Sequence, residues 1–355
     1  MSRIQSIGQF KQQIWLDNLS RELIDGGKLT QWIKNEGITG ITSNPAIFHN
    51  AISQGAQYQT KLSAIKTNET DLERRFESLV LPDIIDACQL LRPLYEQSHG
   101  EMGYVSFEVS PKLAHDAAGT VAAARRLWAE INQPNLMIKI PATAAGVIAC
   151  EEVIAEGINV NVTLMFSEKH VNAIFAAYQR GLKRRLEKKL PLSNIHSVAS
   201  VFISRVDVKI DALLPANLSH LKGQIAIASA KHAYSLWQQA FEGEIFVALK
   251  TAGAHPQILL WASTGNKNPA YRDVRYIEEL IGPHTVNTAP EATLAAFSDH
   301  GEARNSLTED LPTAEQQLAE LAASGIDLNQ LGEELQKEGL KQFEEAFAKL
   351  MALVK

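Results

Sequence analysis

The sequence of 355 residues has few of the features that mark secreted, membrane-bound or nucleic-acid-binding proteins. Its two cysteines, Cys88 and Cys150, are too few for a disulfide framework in a chain of this size. No apolar run approaches the roughly 18 residues of a membrane span, and the amino-terminal residues lack the apolar core of a signal peptide. The 34 Lys and Arg against 40 Asp and Glu give a net charge of −6, so no global positive field attracts nucleic acid or anionic lipid. We therefore expect a cytoplasmic protein with no nucleic-acid or membrane partner.

The signatures of several cofactor and metal enzymes are also missing. No two of the 10 histidines lie three to five residues apart, so the zinc pattern His-x-x-x-His is absent. The chain has no Gly-x-Gly-x-x-Gly after a strand, no Walker loop and no Gly-x-Ser-x-Gly elbow, which removes the usual marks of nicotinamide, ATP and serine-hydrolase chemistry. We expect neither a metal nor an organic cofactor, and a metal held by scattered carboxylates stays open as the alternative.

Short apolar or alternating runs recur along the chain, with helical patterns between them. The predicted strands are residues 14–17, 38–42, 104–109, 136–140, 158–163, 197–202, 258–263 and 284–287. The predicted helices between them include residues 114–131, 144–156, 168–190 and 221–241. Strands that alternate with helices pair in parallel, because each crossover needs a dozen or more residues. Eight such strands favour an α/β fold of the closed (β/α)₈ TIM barrel type over the alternative, a doubly wound open sheet.

Two segments exceed a minimal barrel. Residues 45–102 follow the second strand and contain helical patterns at residues 72–81 and 84–96. Residues 300–355 follow the last strand, and their apolar side chains recur at helical spacing at Leu331, Leu335, Leu340, Phe343, Phe347 and Leu350. We therefore predict a helical insertion after strand two and extra carboxy-terminal helices. Because no low-complexity linker interrupts the chain, residues 1–355 are interpreted as a single domain, in a monomer or a homodimer.

Polar side chains at strand ends are the candidates for chemistry. Lys139 stands in an otherwise apolar strand, where an ammonium is costly to bury unless it is paired or near solvent. A lysine there often only extends past the strand end, but it is also the type of residue that forms a Schiff base, since a free amine attacks a carbonyl. Asn159, Asn161 and Thr163 alternate with valines, so all three are predicted to point into the barrel and to line its carboxyl-end mouth.

Three further strand ends carry acids or amides. Asp17 ends the first predicted strand, Glu108 lies late in the third, and Asn44 is followed by Pro45, which stiffens the loop. Each has a simpler interpretation by itself: Asp17 as a helix cap, Glu108 as a surface charge, and the amide with its proline as a turn.

Together with Lys139, these strand ends resemble a known family. Five segments carry the resemblance, at residues 42–46, 105–109, 137–141, 158–164 and 201–207. They look like the transaldolases, in the expected order from about residue 14 to 290, and the length of the chain is similar to the longer bacterial branch. The resemblance implies a (β/α)₈ barrel and a class I, metal-free enzyme of the pentose phosphate pathway. Its substrates are sugar phosphates: a dihydroxyacetone unit passes from sedoheptulose 7-phosphate to glyceraldehyde 3-phosphate, which gives erythrose 4-phosphate and fructose 6-phosphate.

The resemblance also implies a catalytic role for four residues. Lys139 matches the Schiff-base lysine, and Asp17 matches the acid/base that takes the proton of the C4 hydroxyl. Glu108 and Thr163 match the pair that holds a catalytic water during dehydration of the carbinolamine.

Four other residues match substrate-binding positions of the family. Asn44 and Asn161 match amides that bind substrate hydroxyls and the enamine, and Ser200 fits a similar role. Arg205 matches a phosphate-binding arginine. The chain departs from the shorter transaldolases at their second phosphate arginine, where Lys267 is the nearest cation and offers a point charge without the guanidinium fork.

Three other functions remain open at this point. A fructose 6-phosphate aldolase would release dihydroxyacetone instead of transferring it. A class I aldolase of the deoxyribose-phosphate kind also uses a strand lysine, although its tandem-lysine arrangement is not evident here. An inactive barrel that serves as a binding module is the third, and the presence of every matched acid, base and nucleophile argues against it.

Overall fold

The structure, a computed structural model that describes residues 2–355, is built on a closed barrel of parallel strands in chain order. The strands are β1 (Gln12–Asp17), β2 (Gly40–Thr42), β3 (Tyr104–Glu108), β4 (Leu136–Pro141), β5 (Val160–Met165), β6 (Ser197–Phe202), β7 (Ile258–Ala262) and β8 (Thr285–Ala289). Strand β1 pairs in parallel with both β2 and β8, which closes the sheet. The predicted TIM barrel is therefore confirmed, and the open-sheet alternative is wrong.

Helices surround the barrel and fill the two predicted additions. They are α1 (Arg3–Ile7), α2 (Arg21–Asp25), α3 (Lys28–Gln31), α4 (Pro45–Gln54), α5 (Ala56–Ile65), α6 (Leu72–Gln97), α7 (Ala117–Ile131), α8 (Ala144–Glu156), α9 (Glu168–Glu187), α10 (Ser204–Leu213), α11 (Ile225–Phe241), α12 (Glu244–Thr251), α13 (Arg275–Glu278), α14 (Glu291–His300), α15 (Leu311–Ala323) and α16 (Leu328–Val354). Short 3₁₀ turns lie at Gly8–Phe10, Pro111–Leu113 and Ala216–Leu221, and a π turn lies at Trp32–Glu36. None of the helices within residues 2–355 is both long and apolar enough to cross a membrane.

Two helix predictions differ from the structure. The segments predicted at 72–81 and 84–96 form one continuous helix, α6, although Pro82 and Pro93 lie inside it. A proline removes a backbone hydrogen bond but does not force an end where packing outweighs that loss. In α6, Leu79, Ile84 and Leu91 are all fully buried on both sides of Pro82. The helix predicted from residue 221 begins four residues later, because a 3₁₀ turn comes first.

A matched pair of a large and a small residue fills the barrel interior below the site. Trp15 lies two residues before Asp17 on the same face of β1, and its partner in register on β2 is Gly40. A Cβ atom at Gly40 would lie 2.5–2.6 Å from atoms of the indole ring. Glycine is therefore required here by the close approach of the ring, which supports the layer above it.

The long helix α16 packs against the carboxyl end of the barrel. The Nε2 of Gln336 donates hydrogen bonds to the carbonyl oxygens of Ala142, at 2.9 Å, and Leu164, at 3.0 Å. Leu164 has a positive φ of 61°, at a register irregularity of β5 against β6, so its carbonyl turns away from the ladder. Gly339 lets the helix approach, because a Cβ there would lie 3.0 Å from the Leu164 side chain. Helix α16 thereby becomes part of the wall of the barrel mouth.

Candidate active site

A cavity of about 190 Å³ opens at the carboxyl ends of the strands. Six of the eight predicted site residues line it: Asp17, Asn44, Lys139, Thr163, Ser200 and Arg205. Its other walls include Thr42, Phe202, Lys267, Thr288 and Phe343. This rim of a TIM barrel is where the loops and strand ends converge, so residues far apart in the chain meet at one place.

Lys139 is a buried amine with two acceptors beside it. Its Nζ donates to the carbonyl oxygen of Ser43 at 3.0 Å and lies 3.4 Å from Oε2 of Glu108, its neighbour in register on β3. The ring centre of Phe343 lies 5.6 Å from the same nitrogen. Once the ammonium group has lost a proton, the neutral amine can donate to these two acceptors and direct its lone pair in a third direction, towards a carbonyl carbon in the cavity.

Glu108 is a carboxyl group whose proton affinity suits catalysis near neutral pH. Burial raises its pKa to about 7; the positive charge of Lys139 and their hydrogen bond oppose this effect, and the charge of Asp17 adds to it. Only 6% of the side chain is exposed, so solvent does little to restore the ionised form. At neutral pH the group is able both to donate and to accept a proton, which general acid–base catalysis requires.

Asp17 ends β1 and is held by a neighbouring hydroxyl group. Thr42 Oγ1 donates to Asp17 Oδ1 at 2.7 Å, and these residues are partners in register on β1 and β2. Burial raises the pKa of Asp17, while the charge of Lys139, the hydrogen bond from Thr42 and the charge of Lys267 each lower it. The carboxylate is therefore a stronger base than an exposed aspartate, and its orientation is fixed.

Thr163 presents a polar atom that no protein group satisfies. Its Oγ1 is buried without a hydrogen-bond partner among the residues that the structure describes, and it lines the cavity. A buried hydroxyl without a partner is rare and is usually satisfied by water or a ligand. The orphaned atom favours the predicted role of Thr163 in holding a water molecule.

Asn161 lies below the cavity and holds the residue that lines it. Its Nδ2 donates to Ser106 Oγ at 3.0 Å, and its Oδ1 accepts from Ser200 Oγ at 2.7 Å. Of these three residues, only Ser200 is among the cavity-lining residues. The arrangement fixes the orientation of the Ser200 hydroxyl group and gives Asn161 an indirect route to a bound molecule.

Asn44 is the N-cap of α4, and Pro45 is the first residue of that helix. Its Oδ1 accepts a hydrogen bond from the backbone N–H of Ile47 at 3.0 Å, as N-cap side chains do. Because the cap engages the oxygen, the amide nitrogen is the group left to donate to a bound molecule in the cavity. The prediction of a turn and that of a binding amide are thus compatible.

Two cations, Arg205 and Lys267, lie at one end of the cavity without a paired carboxylate. Arg205 is the second residue of α10, and its guanidinium carbon lies 5.3 Å from the ring centre of Phe202. Burial lowers the pKa of Arg205, and burial together with the charge of Arg205 lowers the pKa of Lys267. No ion pair within residues 2–355 involves either side chain. Arg205 is partly buried and Lys267 is exposed, and two neighbouring cations that form no ion pair favour a dianionic ligand such as a phosphate group.

No cluster of metal-ligating side chains lies near this cavity or elsewhere in the described chain. Residues 2–355 contain no group of three or more His, Cys, Asp or Glu side chains placed to hold a metal ion. Asp17, which lines the cavity, lies beside the hydroxyl group of Thr42, and Glu108, which is not among the lining residues, lies beside the amine of Lys139.

Comparison with known proteins agrees with this constellation. The family model described as "Transaldolase/Fructose-6-phosphate aldolase" matches residues 14–354. The chain belongs to this family. A Transaldolase of Neisseria meningitidis serogroup C is 51% identical over 352 residues, which cover 99% of this chain and 98% of the relative. A Transaldolase of Thiobacillus denitrificans is 47% identical over 359 residues, with 100% of both chains covered, and a Transaldolase 2 of Nostoc sp. is 44% identical with 99% and 96% covered. The predicted resemblance to the transaldolases is confirmed.

One expectation for the site of this transaldolase-family barrel is wrong. Asn159 was expected to share the mouth with Asn161 and Thr163, but it precedes β5 at the opposite end of the barrel. Its Nδ2 lies 3.2 Å from the carbonyl oxygen of Pro134, and its Oδ1 accepts from the backbone N–H of His196 at 2.9 Å. Inward-facing residues two apart on a strand differ by about 6.6 Å in depth, so only Thr163 of the three reaches the cavity.

Thr42, Thr288 and Phe343 are among the cavity-lining residues that the sequence did not identify. Thr42 belongs to one of the segments that resemble the transaldolases, and it could have been singled out as a polar residue at a strand end. Thr288 is the second-last residue of β8 and carries a similar signal. Phe343 carries no such signal, because helical periodicity predicts that it is buried but not which element it faces.

Proposed function

We propose that this chain catalyses the transaldolase reaction through a Schiff base on Lys139. In this proposal a dihydroxyacetone unit passes from sedoheptulose 7-phosphate to glyceraldehyde 3-phosphate, which gives erythrose 4-phosphate and fructose 6-phosphate. The observation that carries the proposal is one cavity with a buried amine at 3.4 Å from a carboxyl group of raised pKa, and two cations without a paired carboxylate at one end. The names of the relatives support the same reaction.

The first stage is formation of the imine. The amine of Lys139 attacks the C2 carbonyl carbon of the donor, and a carbinolamine forms. Protonated Glu108 gives its proton to the leaving hydroxyl group, and a water molecule leaves as the iminium forms. The free hydroxyl group of Thr163 is placed to hold this water, either as it leaves or as it returns in the hydrolysis that ends the cycle.

The second stage breaks a carbon–carbon bond. Asp17 removes the proton of the C4 hydroxyl group, the C3–C4 bond breaks, and its electrons flow into the iminium to form an enamine. Erythrose 4-phosphate leaves as the aldehyde product. When glyceraldehyde 3-phosphate arrives, the enamine carbon attacks its aldehyde, and Asp17 returns the proton to the new hydroxyl group. Water then hydrolyses the iminium, with ionised Glu108 as the base, and fructose 6-phosphate is released.

The enamine must stay bound between the two half-reactions. Asn44 and Ser200 are proposed to hold its hydroxyl groups, and Asn161 acts through Ser200. Arg205 binds the phosphate of donor and acceptor, with Lys267 as the second cation. Holding both partners in a fixed geometry supplies much of the rate enhancement in reactions of this type.

Borohydride trapping tests the central claim. Reduction in the presence of fructose 6-phosphate is expected to attach the sugar-derived group irreversibly to Lys139, as located by peptide mass mapping. The matched control is Lys231→Met, which removes another buried lysine whose Nζ donates to the Glu309 carbonyl oxygen, outside the cavity. Lys139→Met should abolish labelling, and Lys231→Met should not. An adduct on any other lysine would contradict the proposal.

The alternative, an enzyme that releases dihydroxyacetone, shares the first half of this mechanism. The description of the family covers both activities. Measuring dihydroxyacetone release without an acceptor, beside erythrose 4-phosphate formation with one, distinguishes them. Release as fast as transfer would identify an aldolase.

We further propose the remaining features that the sequence predicts. These are a cytoplasmic enzyme of the pentose phosphate pathway, a monomer or homodimer, and a single domain over residues 1–355 with no metal or organic cofactor. The packing of α16 against the barrel mouth supports the single domain. Exhaustive chelation is expected to leave the activity intact, and loss that a divalent ion restores would contradict this.

A further inference from the structure

We infer that Thr288 is a positioning residue for the proposed reaction, because it completes a chain of two hydroxyl groups, Thr288 to Thr42, that orients the carboxyl group of Asp17. The inference rests on the proposed function and extends it to the strand on the far side of Asp17. It concerns a residue that has no contact with Lys139 or Glu108.

The chain links three neighbouring strands of the barrel. Thr42 Oγ1, on β2, lies 2.7 Å from Asp17 Oδ1 and 2.7 Å from Thr288 Oγ1, on β8. Strand β1, which carries Asp17, pairs with both of these strands. Thr42 and Thr288 are buried, at 2% and 4% exposure, so the hydrogen bonds are shielded from competing solvent.

The direction of donation along the chain follows from chemistry. An ionised carboxylate only accepts hydrogen bonds, so Thr42 must donate its single proton to Asp17. With that proton engaged, Thr42 can only accept from Thr288, which becomes the first donor of the chain. A valine in place of Thr288 would therefore leave the Thr42 oxygen without its donor, even though the bond to Asp17 remained.

The same two hydroxyl groups can serve Asp17 after it has taken a proton. Hydroxyl hydrogens rotate, so a protonated Asp17 Oδ1 can donate to Thr42, and Thr42 can then donate to Thr288. The carboxyl group stays hydrogen-bonded in both states. This property suits a residue that takes a proton from the C4 hydroxyl group in one half-reaction and returns it to an aldehyde oxygen in the next.

A hydrogen bond to the backbone carbonyl group of Thr288 holds this residue in place. Thr264, in the loop after β7, donates from its Oγ1 to the carbonyl oxygen of Thr288 at 2.8 Å. The same hydroxyl group lies 2.9 Å from Asn287 Oδ1. The end of β8 is thus fixed from the side opposite to Thr42, and the position of the first donor does not depend on a bound substrate.

The test uses matched variants of the two threonines. Thr42→Val and Thr288→Val keep the shape but remove the hydroxyl group, and Thr42→Ser and Thr288→Ser keep the hydroxyl group. We expect kcat for transfer to fall about tenfold in Thr42→Val and about threefold in Thr288→Val, as for loss of one charged and one neutral hydrogen bond. The serine variants should recover most of the loss.

Two further readouts separate positioning from a structural effect or from substrate contact. Borohydride trapping on Lys139 should proceed at the wild-type rate in both valine variants, because imine formation does not need Asp17. The acid limb of the kcat profile should move to higher pH in Thr42→Val, since loss of a hydrogen bond to the ionised form raises the pKa of Asp17. A raised KM with unchanged kcat in Thr288→Val would show substrate contact instead and would overturn the inference.

Asp17→Asn is the reference that separates this inference from the proposed function. It should be trapped by borohydride but should not turn over. If Asp17→Asn turns over normally, the proposed function of Asp17 fails, and the inference fails with it. If Asp17→Asn is inactive while Thr288→Val matches the wild type in kcat and in pH profile, only the inference is wrong.

Discussion

The pKa of about 7 for Glu108 leads to a specific prediction about imine formation. In the proposed mechanism the protonated carboxyl group assists loss of the carbinolamine hydroxyl, so this step should slow as pH rises through 7. Glu108→Gln keeps the size of the side chain and an N–H donor but has no proton to give or accept. The variant should therefore form the imine more slowly, by roughly 10²–10⁴-fold at pH 6, where the wild-type carboxyl group is protonated.

The size of the pH effect follows from the pKa. With a pKa of about 7, ~90% of Glu108 is protonated at pH 6 and ~10% at pH 8. The rate for the wild type divided by the rate for Glu108→Gln should therefore fall about tenfold over this interval. Taking the ratio removes pH effects that the two proteins share, including those on the nucleophile.

The assay is rapid mixing with fructose 6-phosphate, followed by borohydride quenching at increasing times and mass measurement of the adduct. Glu344→Gln, on the exposed face of α16, controls for the substitution itself and should behave as the wild type. The reasoning is refuted if the ratio stays constant between pH 6 and pH 8. It is equally refuted if Glu108→Gln forms the imine at the wild-type rate.

Three more predictions concern other parts of the site and its support. Arg205→Ala should weaken the binding of phosphorylated substrates by about 2–5 kcal/mol, and Lys267→Ala should weaken it by less. The binding of unphosphorylated glyceraldehyde should change little. Equal losses for both acceptors would show that the two cations serve the structure and not phosphate binding. Thr163→Val should slow imine hydrolysis about tenfold in single-turnover experiments, with Thr163→Ser restoring it, and normal hydrolysis in the valine variant would exclude a water-holding role. Gly40→Ala should lower the free energy of unfolding by about 1–3 kcal/mol in urea titrations, because its Cβ would overlap the indole beside it. Gly8→Ala, with open space at the Cβ, is the matched control, and equal stability of the two variants would contradict the packing argument.

Much of the barrel could be predicted from the sequence because a parallel barrel strand has a simple signal. The strand predicted at 136–140 is observed as Leu136–Pro141, and that predicted at 197–202 is observed as Ser197–Phe202. In such a barrel all strand carboxyl ends lie at one rim, so polar residues at those ends are gathered without any knowledge of loop geometry. That is why Asp17 and Lys139 could be assigned to one cavity.

Depth and long-range partners could not be predicted in the same way. Alternation along β5 gives the face on which Asn161 lies but not its distance from the rim, and that residue is found below the cavity. The position of Lys267 depends on the path of a loop, and that of Phe343 on how a distant helix packs. Neither position can be read from the spacing of apolar residues along a single strand or helix.

The two hydrogen bonds of Gln336 tie completion of the barrel mouth to the last helix, α16. They join α16 to backbone positions 194 and 172 residues earlier, so the contact requires closure of a loop that contains β6 to β8 and, for Ala142, β5 as well. All eight strands lie before residue 290 and can pair while this helix is still unattached. During synthesis the strands emerge before residues 328–354, so we expect the side chain of Lys139 to face an open barrel mouth until α16 docks. In this order of assembly the barrel forms before the wall that closes its mouth, and we expect activity to return after the barrel during refolding.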